Sequence, residues 1–198
     1  EESGNWMHIK CQNDDYQGWI AKESEPEVYE GSELSLLHHE TTISSPIGSI
    51  RLSPGSLISM DEKLRLRPES DYKRLFEDFD ITTFLGTPYL WGGRSIWGID
   101  CSGLSQLYFA VQGLSIPRDA SEQVKYGKAI PFSERKEGDL AFFNNDKGAI
   151  THVGIVWPSA LILHSSGRVR LDALTKSGIV RDTDKKQSHQ LQSIRRFT

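Results

Sequence analysis

The 198-residue chain has few cysteines, no excess of basic charge and no long apolar run, and each absence excludes a class of protein. Its 2 cysteines cannot make a disulfide framework, and Cys11 and Cys101 lack the paired spacing of a zinc site. A net charge of −4 argues against a dedicated nucleic-acid-binding protein. No apolar stretch reaches the roughly 18 residues of a membrane span, so we expect a chain that does not cross a bilayer.

The first 28 residues have the pattern of a small β-hairpin. Trp6 to Cys11 alternate in character, Asn13-Asp14-Asp15 signals a turn, and an extended run resumes at Tyr16-Gln17-Gly18-Trp19-Ile20. Together with Gly4-Asn5-Trp6, this run resembles the later half of a bacterial SH3-like module, whose first half would lie upstream of Glu1. A hairpin of this size is not stable alone. We therefore expect it to dock on an upstream SH3-like domain or chain, or on the rest of this one.

The remainder divides at about residue 71. Residues 29–70 are interpreted as a linker and short β segments that wrap the main domain, which spans residues 71–198. Within that domain, helices are predicted over residues 71–85 and from Cys101 to Gly113, the second with a buried stripe at i, i+3, i+4 and i+7. Strand-like runs follow at residues 139–143, 152–157, 160–164, 169–171 and 193–197. A helical block followed by strands predicts an α+β fold with a mostly antiparallel sheet.

The most informative position is Cys101. Asp100 is a preferred N-cap residue, so Cys101 is expected in the first turn of its helix. Free amide groups and the helix dipole there favour an anion, which predicts a lowered thiol pKa and a nucleophilic sulfur. The alternative is that Cys101 is a small buried apolar residue.

A cysteine nucleophile needs a base, and two of the 6 histidines qualify. His152 and His164 each lie in a strongly apolar strand, where an imidazole is costly unless its nitrogens have partners. If the two strands form a hairpin centred on Pro158, His152 faces His164 on one side of the sheet, and one ring can orient the other. The alternative is a pair of core histidines without a catalytic role.

Six segments then resemble, in order, the NlpC-type cell-wall cysteine peptidases over residues 71 to about 197. They are residues 86–93, 98–104, 117–120, 138–140, 152–155 and 163–165. The resemblance implies a circularly permuted papain-like core. It also implies that Cys101 is the nucleophile, His152 the base, His164 the orienting group and Tyr89 a residue that helps hold the oxyanion. No set of three or four histidine, cysteine or acidic residues has the spacing of metal ligands, and the protein supplies the nucleophile, so we expect no metal and no other cofactor.

Arg118-Asp119 resembles the branch of the family that cuts short murein peptides. The resemblance implies that Asp119 binds the free amino group of an N-terminal L-alanine, and we group Ser102, Trp91 and Arg118 with it as substrate-binding residues. Two alternatives remain open. Asp119 is also placed to cap a helix over residues 120–126, and Trp91 is also suited to core packing.

The implied activity is hydrolysis of the γ-D-glutamyl–diamino acid bond of murein tripeptides through a thioester acyl-enzyme. The diamino acid stays open between meso-diaminopimelate and lysine. Two other functions fit the same residues: an acyltransferase or amidase with the same triad, and a non-catalytic cell-wall binding module. The expected partner is a murein peptide and not a nucleic acid. We expect a bacterial protein of the cell envelope rather than the cytoplasm, although these residues include no secretion signal.

Overall fold

The computed structural model describes residues 2–24, 34–45, 48–59, 76 and 78–197. The helices of this part of the chain are α1 (Cys101–Ala110) and α2 (Ala120–Gln123), with short 3₁₀ helices at Lys22–Ser24, Ile81–Phe84 and Phe132–Glu134. None of them is long and apolar enough to span a membrane. The first strands are β1 (Glu2–Ser3), β2 (Trp6–Lys10), β3 (Gln17–Ala21), β4 (Leu34–Leu36), β5 (Thr41–Ser45), β6 (Gly48–Leu52), β7 (Leu57–Ser59), β8 (Arg94–Ser95) and β9 (Gly98–Ile99). The later strands are β10 (Lys128–Ala129), β11 (Leu140–Asn144), β12 (Ile150–Trp157), β13 (Leu161–Ser166), β14 (Arg168–Leu174), β15 (Gly178–Val180) and β16 (Gln187–Arg196).

The later strands form one antiparallel sheet in the order β10-β16-β11-β12-β13-β14-β15. Strand β15 also pairs with β16, so the sheet closes on itself and those strands have no free edge between them. Helix α1 precedes this block and packs on β12 and β13. The predicted α+β arrangement with an antiparallel sheet is therefore confirmed, and β10 and β15 are additions that the sequence pattern did not reveal.

Side chains alternate between two apolar cores along the central strands. On β11, Leu140 and Phe142 belong to the core shared with α1, whereas Ala141 and Phe143 belong to the core inside the closed sheet. This is the ordinary two-residue period of a strand, with both of its faces covered. On β12 the same alternation places Val153 on the α1 side, so His152 belongs to the interior face.

Asp100 determines where α1 begins. Its backbone is extended, with φ −92° and ψ 176°, and its side-chain Oδ1 accepts a hydrogen bond of 2.7 Å from the backbone N–H of Gly103. This is the N-cap geometry expected from the sequence, and it places Cys101 at the first helical residue. Gly103 has no room for a side chain, since a Cβ there would lie 2.6 Å from the carbonyl oxygen of Gly93.

The hairpin of β12 and β13 has a different register from the one expected. Trp157 pairs with Leu161 and Ile155 with Leu163, so the turn is centred on Ser159 rather than on Pro158. Ser159 and Ala160, which lie between the paired Trp157 and Leu161, both adopt positive φ, at 61° and 58°. The predicted direct opposition of His152 and His164 is therefore wrong. They are diagonal neighbours that share a face, because the shift of the pairing preserves the alternation of side chains.

The N-terminal part forms a three-stranded sheet, β1-β2-β3, which includes the predicted hairpin. Its turn docks on the later part of the chain through Asp14, whose Oδ2 accepts hydrogen bonds of 3.1 Å from Arg94 and of 3.1 Å from Gln106. The Asp14 side chain is only 3% exposed. The hairpin is thus anchored by a buried carboxylate, as its small size requires.

The described part of the middle segments forms two small strand pairs and a hydrogen bond to the later part of the chain. Strand β4 pairs with β7 and β5 with β6, and Ser53 Oγ accepts a 3.0 Å hydrogen bond from the backbone of Ile96. Of the helix predicted over residues 71–85, residues 71–75 and 77 lie outside the described residues. The described portion ends in the 3₁₀ helix Ile81–Phe84, whose first turn is capped by Asp80.

Gly154 leaves space for the neighbouring side chains on the sheet face that carries His152 and His164. A larger residue at this position should therefore destabilise the protein. A Cβ at Gly154 would lie 2.7 Å from the Ile162 side chain and 2.9 Å from the Cβ of His164. We expect Gly154→Ala to lower the free energy of unfolding by about 1–3 kcal/mol, as overpacking of a core does. Denaturant unfolding measures it. The matched control is Gly18→Ala in β3, where the nearest atom to a Cβ is 4.0 Å away. Equal stability of the two variants would contradict the packing argument.

Candidate active site

Cys101 lies at the start of α1 with only 7% of its surface exposed. Backbone N–H groups of Val153, Ser102 and Cys101 itself point towards its sulfur closely enough to lower the thiol pKa. The contact with Val153 places the sulfur against the segment of β12 that also carries His152. The predicted position of Cys101 at a helix start is therefore correct, and the strand that bears the predicted base lies beside it.

The predicted lowering of the thiol pKa is wrong. Burial raises the pKa of the Cys101 thiol to about 11, and the nearby carboxylate of Asp100 raises it further, against the hydrogen bonds from backbone amides. The sequence indicated the amides of the helix start correctly, but it did not reveal how completely the sulfur is removed from water. Desolvation of the thiolate outweighs the stabilisation by backbone dipoles.

Three buried polar side chains form a continuous hydrogen-bonded chain inside the closed sheet. His152 Nε2 lies 2.9 Å from His164 Nδ1, and His164 Nε2 lies 3.0 Å from Asp172 Oδ2. His164 and Asp172 are each only 1% exposed. The two histidines that the sequence paired are therefore in contact, and the chain extends to an aspartate that the sequence analysis missed.

His152 is neutral at ordinary pH. Its pKa lies well below the usual range because the ring is buried, and because charges on His164 and His189 would repel its own. His189 stacks on His152 with ring centroids 4.2 Å apart, and burial lowers the pKa of His189 to about 4. The resting site thus contains a neutral Cys101 thiol and a neutral His152 imidazole rather than a thiolate–imidazolium pair.

Arg118 binds the groups that hold the helix start. Its Nη1 donates hydrogen bonds of 2.9 Å to Asp100 Oδ1 and of 2.8 Å to Ser102 Oγ, and its Nη2 donates to Asp100 Oδ2. Asp100 Oδ2 also accepts a 2.8 Å bond from the backbone of Gly92. Arg118 and Ser102 border the cleft described next, but these bonds engage them within the protein, which favours a supporting role over direct substrate contact.

A cleft of about 530 Å³ opens onto Cys101. It is bordered by every other site residue predicted from the sequence except the two histidines: Tyr89, Trp91, Ser102, Arg118 and Asp119. Cys11, Asp14 and Tyr16 of the N-terminal hairpin form part of its wall. A larger cavity of about 690 Å³ between the hairpin and β16 contains none of the predicted catalytic residues. The hairpin is therefore part of the cleft, and sequence reasoning missed Asp14 and Tyr16 as residues that line it.

Two aromatic side chains differ in their settings at this cleft. Tyr89 is half-buried beside Cys101, and burial together with the charges of Cys101 and Asp100 raises the pKa of its hydroxyl. The hydroxyl consequently keeps its proton and remains a hydrogen-bond donor. Trp91 is 85% exposed at the rim, which excludes the core-packing alternative for this residue.

Asp119 occupies the N-cap position of α2 but makes no capping hydrogen bond with its side chain. Its carboxylate is exposed in the cleft. Helix α2 is also shorter than the predicted span of residues 120–126. The capping alternative thus lacks its defining contact, and the carboxylate is available to a ligand.

The missed aspartate carried a signal of the type used for the histidines. Asp172 lies between Leu171 and Ala173 in β14, where a buried carboxylate is costly without partners. His189 carried no comparable signal, because its neighbours in β16 are mostly polar. Among the described residues, no group of three or more histidine, cysteine or acidic side chains is arranged to hold a metal ion.

Comparisons with known proteins agree with this geometry. The model of the NlpC/P60 family matches residues 86–188. A gamma-D-glutamyl-L-lysine dipeptidyl-peptidase of Bacillus subtilis is 49% identical over 102 residues, which cover 50% of this chain and 34% of that protein. A protein of the same name from Bacillus cereus is 39% identical over 84 residues, covering 41% of this chain and 25% of that one. The matches thus span about a third or less of these relatives' own length.

The fold also matches a solved structure over nearly the whole chain. The crystal structure of an NlpC/P60 family protein from Bacillus cereus superimposes with a TM-score of 0.70 at 20% identity. The match covers 98% of this chain and 77% of that one. This confirms the predicted papain-like α+β core. The SH3-like interpretation of the hairpin stays a prediction.

The raised thiol pKa predicts how Cys101 reacts with iodoacetamide. Below a pKa of about 11 the thiolate is a minor species whose fraction grows with pH. We expect the alkylation rate of Cys101, measured by mass spectrometry in the Cys11→Ser variant, to rise about tenfold per pH unit from pH 6 to 9. The same protein unfolded in urea is the control, and its rate should level off above about pH 8.5. A plateau below pH 7 in the folded protein would instead indicate a thiolate–imidazolium pair.

Proposed function

The chain belongs to the NlpC/P60 family, and from this membership and the site geometry we propose that it is a cysteine peptidase of peptidoglycan. We assign it hydrolysis of the γ-D-glutamyl–diamino acid bond in short murein peptides with a free N-terminal L-alanine. The observation that carries the proposal is the buried contact of His152 with His164 beside the strand segment that binds the Cys101 sulfur. The nucleophile that borders the cleft is thereby placed beside the strand that carries the base, and the base contacts the orienting group.

In the proposed reaction, the Cys101 sulfur attacks the carbonyl carbon of the γ-glutamyl amide. His152 takes the thiol proton during the attack, and the carbonyl oxygen becomes an oxyanion. His152 then gives the proton to the leaving amine as the C–N bond breaks, which leaves a thioester on Cys101. A water molecule, deprotonated by His152, attacks the thioester and releases the γ-carboxylate and the thiol.

The pKa directions determine the order of these events. A thiol with a raised pKa does not transfer its proton to a neutral imidazole with a lowered pKa before substrate binds. Proton transfer must therefore accompany the attack on the carbonyl carbon. The protonated Tyr89 hydroxyl borders the same cleft and supports a role as a donor to the oxyanion.

The exposed Asp119 carboxylate supports selection of a free amino terminus. An ammonium gains more from a fixed carboxylate than a neutral amide does, since the hydrogen bond is charge-assisted. Tyr16 of the hairpin lines the same cleft and would border the bound peptide. Trp91 at the rim offers an exposed apolar face for the remainder of the substrate.

The named relatives support the choice of bond, since both are called gamma-D-glutamyl-L-lysine dipeptidyl-peptidases. They favour lysine as the diamino acid. We further assign residues 71–198 to the peptidase domain and residues 1–28 to a partial SH3-like module. Because peptidoglycan lies outside the cytoplasmic membrane, the site of action would be the bacterial cell envelope.

The first prediction of the proposed function concerns the nucleophile. Cys101→Ala should abolish release of L-Ala-D-Glu from L-Ala-γ-D-Glu-L-Lys and its meso-diaminopimelate counterpart, since no other group supplies the attacking atom. Cleavage is followed by mass spectrometry. Cys11→Ser is the matched control and should retain activity. Equal loss in both folded variants would count against Cys101. Cleavage of lipid esters with no cleavage of either peptide would favour an acyltransferase or amidase instead.

The second prediction concerns Asp119. Loss of a charge-assisted hydrogen bond costs roughly 1.5–3 kcal/mol, so Asp119→Asn should lower kcat/KM on the free tripeptide about ten- to a hundredfold. The parent protein should cleave N-acetylated tripeptide poorly. Glu122→Gln is the matched control, because Glu122 follows on the same helix, pairs with Lys125 and borders a different cavity. Comparable cleavage of free and N-acetylated peptides would refute selection of the amino terminus.

A further inference from the structure

Buried hydrogen bonds link Asp172 to His164 and His164 to His152. The Asp172 end of this series can determine the direction of both bonds. A neutral imidazole has one N–H donor and one acceptor nitrogen. His164 uses both nitrogens in the chain, with Nε2 at 3.0 Å from Asp172 Oδ2 and Nδ1 at 2.9 Å from His152 Nε2. If one of these bonds is reversed, the other must reverse with it.

The Asp172 end of the chain only accepts hydrogen bonds. Asp172 Oδ1 accepts bonds of 2.9 Å from Arg170 Nη2 and of 2.9 Å from the backbone N–H of Asp182. Burial opposes ionisation of this carboxyl, but the bonds from His164, Asp182 and Arg170 outweigh it and lower the pKa to about 2. The carboxylate therefore stays ionised across the working pH range, and His164 Nε2 must carry the proton between them.

The direction of the hydrogen bond from His164 to Asp172 then determines the direction of the bond between His164 and His152. In the neutral form of His164, a proton on Nε2 leaves Nδ1 as an acceptor, so His152 donates from Nε2 and, being neutral, leaves its own Nδ1 unprotonated. We propose that Asp172 is a positioning residue, which acts through His164 to keep the Nδ1 of His152 free to accept the thiol proton. This inference rests on the proposed function for its catalytic meaning. The hydrogen-bond directions themselves do not depend on it.

The residues around Asp172, His164 and His152 are consistent with these hydrogen-bond directions. Arg170, on the same strand as Asp172, has its Nε 2.9 Å from Asp172 Oδ2 and balances the buried charge. His189, on β16, stacks on His152 and lies 5.9 Å from His164. The charge of Arg181 contributes to the lowered pKa of His189. A purely structural ion pair of Asp172 with Arg170 is the competing explanation, and it makes no demand on the histidine protons.

The Asp172→Asn variant separates the two explanations. Two hydrogen bonds are donated to Oδ1, whereas Arg170 Nε lies 2.9 Å from Oδ2 without making a hydrogen bond, so we expect the new amide to turn its oxygen towards the two donors and its NH₂ towards His164 Nε2. His164 Nε2 would then accept, Nδ1 would donate, and His152 would carry its proton on Nδ1. The corresponding change in a Ser-His-Asp triad lowers kcat about 10⁴-fold through the wrong tautomer. Because two rings intervene here, we expect kcat to fall about a hundredfold or more, with little change in KM.

The decisive readout is ¹⁵N NMR of histidine side chains, which reports the protonated nitrogen of each ring. In the parent protein His152 and His164 should both be protonated on Nε2, and in Asp172→Asn on Nδ1. Asp139→Asn is the matched control, because Asp139 is also buried and binds Arg196 and a backbone N–H but contacts no histidine. It should leave both tautomers unchanged.

The outcomes are distinct. Nε2 protonation in the parent with a switch in Asp172→Asn supports the inference, even if the parent cleaves no murein peptide and the proposed function fails. Nδ1 protonation of either ring in the parent overturns it without any variant, which covers the case in which Asp172→Asn does not fold. A folded Asp172→Asn with unchanged tautomers, or with kcat equal to that of Asp139→Asn, also overturns it.

Discussion

The position of the candidate nucleophile depends on one buried carboxylate, that of Asp100. Its two oxygens accept hydrogen bonds from the backbone of Gly103 at the start of α1 and from the backbone of Gly92 in the preceding loop. Arg118 pairs with the same carboxylate and also binds Ser102, so the helix start, the loop that bears Trp91 and the segment that bears Asp119 share one anchor. A buried charge of this kind persists only when it is paired and hydrogen-bonded. Loss of a single partner would release several walls of the cleft at once.

The sequence was sufficient to predict the site where chemistry demands particular residues. An N-cap aspartate marks a helix start before Cys101, and histidines in apolar strands are costly unless their nitrogens have partners. The fold places Cys101 at that helix start and His152 in contact with His164. The hairpin register was predicted less well, because the turn at Ser159 and Ala160 uses positive φ at residues that carry no glycine signal. The prediction that His152 and His164 share a face still holds, because the observed pairing is shifted by two residues and side chains alternate with a period of two.

Other features depend on tertiary context that a linear pattern does not contain. The raised thiol pKa of Cys101 follows from burial by segments distant in the chain, and not from the helix start that local sequence reveals. The contribution of Asp14 and Tyr16 to the cleft wall likewise depends on how the hairpin docks through Arg94 and Gln106. Hydrogen bonds between residues this far apart in the chain leave no periodic trace in the sequence.

A neutral resting site has a physical advantage because Cys101 and His152 are largely buried from water. A preformed thiolate–imidazolium pair would have to be desolvated, and only good geometry and further hydrogen bonds would offset that cost. Here charge separation occurs only when the substrate carbonyl is present to become the oxyanion. The imidazolium that forms on His152 is hydrogen-bonded through His164 to the ionised Asp172. The negative charge of Asp172 is kept two rings away from His152 Nδ1 and is balanced by Arg170. The hydrogen-bonded series from Asp172 to His152 can therefore stabilise an imidazolium as it forms, while the resting thiol keeps its proton until a substrate is bound.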